Sequence, residues 1–243
     1  MSPGLLLVIF HMNVAIIAAA GQGARMRGTR AKQFLELAGT PIIFHTLKPF
    51  EECDAIQEII LVLPAGEATD FLALANKYAL RKLAKVVPGG TTRAESVFRG
   101  LQATRYATTE IVAVHDGVRP FVTVAEISEV VEAAKLNGAA ILVAPVTDTV
   151  KRVREGVIAA TLDRGELRNA LTPQCFHHSL LRRAYEQIDL LDPQLTDDSL
   201  LVERLGEKVV IVEGSARNIK ITRPQDLVIA EALLKEIRDR QKS

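Results

Sequence analysis

Apolar positions along this chain fall in short runs, and the stretches between them carry helical spacing. The runs Val14–Ala18, Glu58–Leu63, Ala84–Val87, Ile111–His115, Ala139–Ala144 and Lys208–Glu213 have the length and β-branched content of buried strands. The intervening pattern predicts helices over Pro41–Glu52, Glu67–Tyr78, Thr92–Thr104, Val124–Asn137, His178–Ile188, Asp198–Leu205 and Pro224–Arg240. Alternation of this kind predicts an α/β fold with a mostly parallel, twisted central sheet covered on both faces, a three-layer sandwich. No repeat or long linker divides it, so residues 12–243 read as one domain. Residues 1–11 read as an N-terminal extension that could instead lengthen the first strand.

Thr147–Arg164 breaks the alternation: two short β-rich runs flank the charged turn Arg154-Glu155-Gly156. This predicts a β-hairpin, an arm spanning about 146–166. A projecting arm needs a surface to cover its apolar side chains, usually that of a second subunit.

In open α/β sheets ligands sit beyond the carboxyl ends of the strands, so the loops there carry the candidate chemistry. After the first strand come Gly21 and Gly23, then Arg25, Arg27, Arg30 and Lys32. Bare amides beside cations suit phosphate; a tight turn in a solvated loop is the alternative. The third glycine of a Rossmann dinucleotide site is missing, no acid ends the second strand, and the Gly-Lys-Ser/Thr of a Walker loop is absent. After the third strand, "PGGTTRAESV" offers a second glycine pair. After the fourth, "HDGVRPF" places Asp116 where the strand stops and Arg119 three residues on. Asp116 reads equally as a Mg²⁺ ligand shared with phosphate oxygens or as the cap of the following turn. His115 reads as a structural neighbour.

Composition narrows the partners. The formal net charge of +1, with 5% aromatics and no Trp, gives neither the basic footprint nor the stacking surface of a nucleic-acid binder. Anionic ligands must be held by local charge. The apolar segment Gly4–Phe10 is too short to span a membrane and lacks the flanks of a signal peptide. Two cysteines without metal-ligand spacing read as reduced thiols of a cytoplasmic protein.

The loop "AAAGQGARM…K" resembles the signature of nucleotidyltransferases that join a nucleoside triphosphate to a phosphorylated sugar or polyol. With "GGTTRAESV", "HDGVRPF", "APVTDTVKR", "LDR", "LTPQCF", "TDD" and "NIKITRPQDL" following in order, the chain resembles the 2-C-methyl-D-erythritol 4-phosphate cytidylyltransferase family from about Asn13 to Leu234. Ala24, Ala31, Thr91 and Val118 depart from residues common at their positions. The resemblance implies the Rossmann-like fold of nucleotide-diphospho-sugar transferases and a reaction of CTP with methylerythritol phosphate, assisted by Mg²⁺. It implies that Arg25, Lys32 and the amides of Gly21 and Gly23 meet the triphosphate, and that Lys220 reaches the α-phosphate. It puts Ala19, Ala20, Gly90, Arg93 and Ser96 on CTP, Asp116 on the metal, and Arg119, Thr149, Arg164, Thr172 and Thr196 on the acceptor. It also implies a homodimer whose hairpin arms reach the neighbouring site. Lys220 on a half-buried strand and Thr196-Asp197-Asp198 as a plain helix N-cap remain the alternatives. So do a ribitol 5-phosphate cytidylyltransferase, a non-catalytic nucleotide-binding module and, less well supported, a nicotinamide-dependent oxidoreductase.

Overall fold

The computed structural model describes residues 11–21 and 31–240. Gly23, Arg25 and residues 1–10 of the expected extension lie outside the described residues. Among the described residues, eleven strands and seven α-helices follow the expected alternation. In chain order they are β1 (Met12–Ala18), β2 (Glu36–Leu37), β3 (Thr40–Pro41), α1 (Ile42–Glu52), β4 (Glu58–Leu63), α2 (Ala68–Ala75), β5 (Leu83–Pro88), α3 (Arg93–Gln102) and β6 (Thr109–Asp116). Then come α4 (Val124–Asn137), β7 (Ala139–Pro145), β8 (Lys151–Arg154), β9 (Val157–Thr161), β10 (Arg168–His177), α5 (His178–Glu186), α6 (Ser199–Arg204), β11 (Val210–Glu213) and α7 (Pro224–Arg240).

Seven strands form one sheet in the order β11-β7-β10-β6-β1-β4-β5. β1 pairs in parallel with both β4 and β6, β4 with β5, and β7 with β11; β10 runs antiparallel between β6 and β7. The sheet is therefore mostly parallel, as the pattern predicts. Alternate residues of a strand face opposite sides, and β1 uses both. Ala15, Ile17 and Ala19 pack with Ile43 and Leu47 of α1, Phe71 of α2 and Ile127 of α4. Ile16 packs on the other face with Val97 of α3, Leu181 of α5 and Leu201 of α6. α7 closes a third, smaller cluster with Leu37, Val118 and Phe121.

The antiparallel strand β10 is absent from the expected set. Its polar residues Asn169, Thr172 and Gln174 hide the pattern, and two of them are buried with their bonds satisfied, Thr172 (4% exposed) by β6 and Gln174 (1%) by the segment entering α6. Lys220 lies in no strand. Its segment is pinned by Ile221, whose N–H donates to the Val118 carbonyl at 2.9 Å, and by Asn218, whose side-chain amide donates to the Thr172 carbonyl at 2.8 Å. The predicted hairpin forms from β8 and β9, outside the main sheet, with Val153, Val157 and Ile158 more than half exposed.

Candidate active site

The chain runs from β1 outward to β4 and β5, then returns to β6 on the other side of β1. That reversal opens a crevice at the carboxyl ends of the strands. A cleft of about 720 Å³ lies there, lined by Ala18–Gly21 after β1, Gly89–Thr92 after β5, Asp116 at the end of β6, and by Lys32, Arg93, Ser96 and Lys220. Glycine is required at two points where the loops around it approach β1. A Cβ on Gly89 would stand 2.1 Å from the Ala20 Cβ, and one on Gly117 would stand 2.5 Å from the Ala19 Cβ. The loops can meet at β1 only because both positions lack side chains.

The wall after β5 is the amino end of α3. Thr92 caps it, its hydroxyl accepting the Glu95 N–H at 3.0 Å. Ser96 accepts the Gly90 N–H at 3.0 Å and donates to the Thr92 carbonyl at 2.8 Å. The Ser96 hydrogen is thus committed inside the helix, and the oxygen keeps one acceptor site. Lys32 begins a short 3-10 turn and approaches Gly21: its Cε would be 3.9 Å from a Cβ placed there.

Asp116 is the electrostatic centre. Its Oδ1 receives Arg93 Nε at 3.0 Å; its Oδ2 receives Lys220 Nζ at 2.9 Å and Arg119 Nε at 3.3 Å. Burial alone would raise its pKa, but Arg93, Lys220 and Arg119 outweigh that and hold the carboxyl far below the usual range. Among the described residues the side chain accepts from cations rather than from the backbone of the following turn. Arg93 also pairs through Nη1 with Asp198 Oδ2 at 2.8 Å. Burial works against its charge, yet the carboxylates of Asp198 and Asp116 hold the guanidinium protonated above its ordinary range.

A closed ring of bonds supports Asp116. Its N–H donates to the Thr172 hydroxyl at 3.2 Å, and that hydroxyl donates to His115 Nδ1 at 2.9 Å. His115 Nε2 donates to the Arg119 carbonyl at 3.1 Å, since a carbonyl can only accept. Burial lowers the His115 pKa to about 4, so the ring is neutral at pH 7. Arg119 closes the circuit on Asp116 and donates through Nη1 to the Asn218 carbonyl at 2.7 Å. His115 is the structural neighbour that its sequence position suggests.

The chain's own fold thus gathers Ala19, Ala20, Gly21, Lys32, Gly90, Arg93, Ser96, Asp116 and Lys220 on one cleft, with Arg119 and Thr172 bonded to Asp116. Thr149, Arg164 and Thr196 are exposed and do not line it. Arg164, at the root of the arm, donates to the Thr147 carbonyl at 2.8 Å. The "TDD" segment does cap α6, through Asp197 Oδ1 and the Leu200 N–H at 3.2 Å. Its second aspartate, Asp198, has the further task of pairing with Arg93, which the sequence does not signal.

The family model of 2-C-methyl-D-erythritol 4-phosphate cytidylyltransferase matches residues 13–236. The chain belongs to that family. It is 46% identical over 219 residues to the Bacillus licheniformis enzyme of that name, covering 90% of this chain and 94% of the relative. It is 45% identical over 223 residues to that of Bacillus cytotoxicus, covering 92% and 98%. Among solved structures, 4-diphosphocytidyl-2C-methyl-D-erythritol synthase of Anaerococcus prevotii superposes with a TM-score of 0.81 at 34% identity, covering 93% of this chain and 99% of the other. The cytidylyltransferase of Thermus thermophilus does so with a TM-score of 0.74 at 35% identity, covering 93% and 100%. The nucleotidyltransferase fold expected of the family is the one observed, and the missing dinucleotide features agree with it.

Proposed function

We propose that the protein is the cytidylyltransferase of its family, joining CTP to 2-C-methyl-D-erythritol 4-phosphate in non-mevalonate isoprenoid biosynthesis. The observation that carries this is the ionised Asp116 held among Arg93, Arg119 and Lys220 at a strand-end cleft, in a chain matched to the family over residues 13–236. An acceptor phosphate oxygen attacks the α-phosphorus of CTP, the bond from that phosphorus to the bridging oxygen breaks, and pyrophosphate leaves with the electron pair. The protein's task is to hold two anions together and to meet the charge that gathers at phosphorus.

Lys32, Arg25 and the amides of Gly21 and Gly23 receive the triphosphate, and Lys220 meets the α-phosphate. Backbone groups at Ala19, Ala20 and Gly90, with the remaining acceptor site of Ser96, read cytosine, while Arg93 faces the nucleotide from α3. Arg119 and Thr172 meet the acceptor together with Thr196. Because Thr149 and Arg164 lie away from their own cleft, Thr149 of the partner subunit and Arg164 of the partner subunit complete the site in a homodimer joined through the arms. The exposed apolar residues Val153, Val157 and Ile158 support that assembly.

The donor set also fits Mg²⁺. Among the described residues no cluster of three metal-ligating side chains exists, but Mg²⁺ is commonly held by one carboxylate and phosphate oxygens. Cations outnumber carboxylates around Asp116, so the ion fits as a companion of the triphosphate rather than alone. When bound it supplies charge neutralisation at the phosphates. Unpaired, buried cysteines and the absence of a membrane-length apolar helix among the described residues agree with a cytoplasmic enzyme.

Pyrophosphate release with CTP and either acceptor tests the reading. Methylerythritol phosphate should be used with at least ~10²-fold higher kcat/KM than ribitol 5-phosphate, as expected where a pocket hydrogen-bonds its substrate. Preference for ribitol 5-phosphate would reassign the acceptor, and CTP binding without turnover would reduce the protein to a binding module.

A further inference from the structure

Two buried groups, the Asp198 carboxylate and the Tyr185 hydroxyl, have no part in the reaction, yet the carboxylate meets the cleft residue Arg93 and the hydroxyl backs the carboxylate. Asp198 is 1% exposed and Tyr185 2%. One Asp198 oxygen pairs with Arg93 Nη1 at 2.8 Å, and the other accepts the Tyr185 hydroxyl. The backbone at Asp198 is itself held: its N–H and that of Ser199 both donate to Gln174 Oε1 at 3.0 Å. The Tyr185 ring stacks on Phe98 of α3, with centroids 5.5 Å apart. Carboxylate, phenol and guanidinium are therefore tied to three elements, α6, α5 and α3, around β10.

The oxygens of Asp116 are unequally served. Lys220 and Arg119 both contact Oδ2, whereas Oδ1 has Arg93. Rotation of the Asp116 carboxylate is thus set by where Arg93 stands. A guanidinium is a rigid planar fork; Arg93 hydrogen-bonds Asp116 through Nε and meets Asp198 as an ion pair through Nη1, so two carboxylates hold it from different sides. With one anchor it could swing toward an incoming polyphosphate and leave Oδ1 unsupported.

We propose that Asp198, backed by Tyr185, is a positioning residue that acts through Arg93 to fix the orientation of the Asp116 carboxylate. The inference rests on the cleft being the cytidylyl-transfer site. It separates from a merely structural role because a positioning defect follows kcat, and follows it only while Arg93 is present.

The test measures kcat, the KM for CTP and thermal unfolding for Asp198→Asn, Tyr185→Phe, Arg93→Ala and the double variant Arg93→Ala with Asp198→Asn. Asp198→Asn should lower kcat by ~10-fold or more with less than about threefold change in KM. Tyr185→Phe, which keeps the ring on Phe98, should lower kcat by about threefold. In the Arg93→Ala background Asp198→Asn should add nothing, the signature of residues acting as a unit. Wild-type kcat in folded Asp198→Asn, or full additivity with Arg93→Ala, would overturn the proposal. If Asp198→Asn does not fold, Tyr185→Phe decides, and an unchanged kcat there overturns it. Failure of the wild-type chain to turn over CTP and methylerythritol phosphate would overturn the functional reading itself, and this proposal with it, whatever the variants do.

Discussion

Lys32 and Lys220 reach the cleft from segments far apart in sequence, and Lys220 Nζ pairs with Asp116 Oδ2 at 2.9 Å. Each faces charge that grows in the transition state, so Lys32→Ala or Lys220→Ala should lower kcat/KM by ~10²-fold or more. Steady-state kinetics of the folded variants checks this. Asp116→Asn should likewise abolish turnover and flatten the Mg²⁺ titration of any residual rate. It should also destabilise the fold, because it removes the shared counterion of Arg93, Arg119 and Lys220; losing one partner of a buried pair costs about 3 kcal/mol. Denaturant unfolding would register that loss, and unchanged stability would contradict the counterion role. At this scale the sequence is informative about residue type and poor about commitment. Asp116 is visible as a charge where a strand stops, and Lys220 as a cation between Ile219 and Ile221 in a segment that resembles a family motif. That Asp198 pairs with Arg93 is not, since 105 residues separate them and the contact forms only when α6 docks beside α3.

Elements bring these residues together by close approach, and glycine sets the limit. Gly89→Ala would force its new Cβ into Ala20 and the Ser96 hydroxyl. The expected outcome is a displaced β5–α3 loop, a KM for CTP raised ~10-fold and a stability loss of about 1–3 kcal/mol. The arm is the element with the largest functional consequence. In a dimer of one Lys32→Ala chain and one Arg164→Ala chain, exchanged arms give one wholly intact site. Half the dimers in a statistical mixture are mixed, so co-refolding two inactive chains should recover roughly a quarter of wild-type activity. No recovery, with mixed dimers verified by mass, would assign Arg164 to its own subunit's site. The hairpin was legible because its alternation and Glu155-Gly156 turn are local signals. β10 was not: its buried polar residues are satisfied by distant partners, Thr172 by His115 and Gln174 by Asp197, and no window of sequence contains both ends.

Over the whole molecule the strand-helix pattern suffices for every strand of the sheet but β10, because the other six follow the parallel crossover logic that apolar runs encode. Packing also sets the response to acid. Burial lowers the pKa of His45, with Arg238 and Lys48 adding to the effect while its bond to the Leu37 carbonyl opposes it; burial and Arg182 lower that of His178. Both bind protons less readily in the fold than in the unfolded chain, which takes them up near the usual pKa of about 6.5. Stability should therefore be full above that pH and decline as pH falls through it. The urea midpoint should be lower at pH 5.5 than at pH 7.5, and His45→Gln should shrink the difference; an undiminished difference would remove His45 from the account.

The central claim is that the cleft transfers the cytidylyl group directly, by positioning and charge, with no covalent enzyme intermediate. Its most direct measurement uses CTP made chiral at the α-phosphorus with sulfur, a single diastereomer, and reads the configuration of the cytidylyl product by phosphorus NMR. A single in-line displacement predicts inversion. Retention would mean two displacements through a nucleotidylated side chain, and would contradict the account.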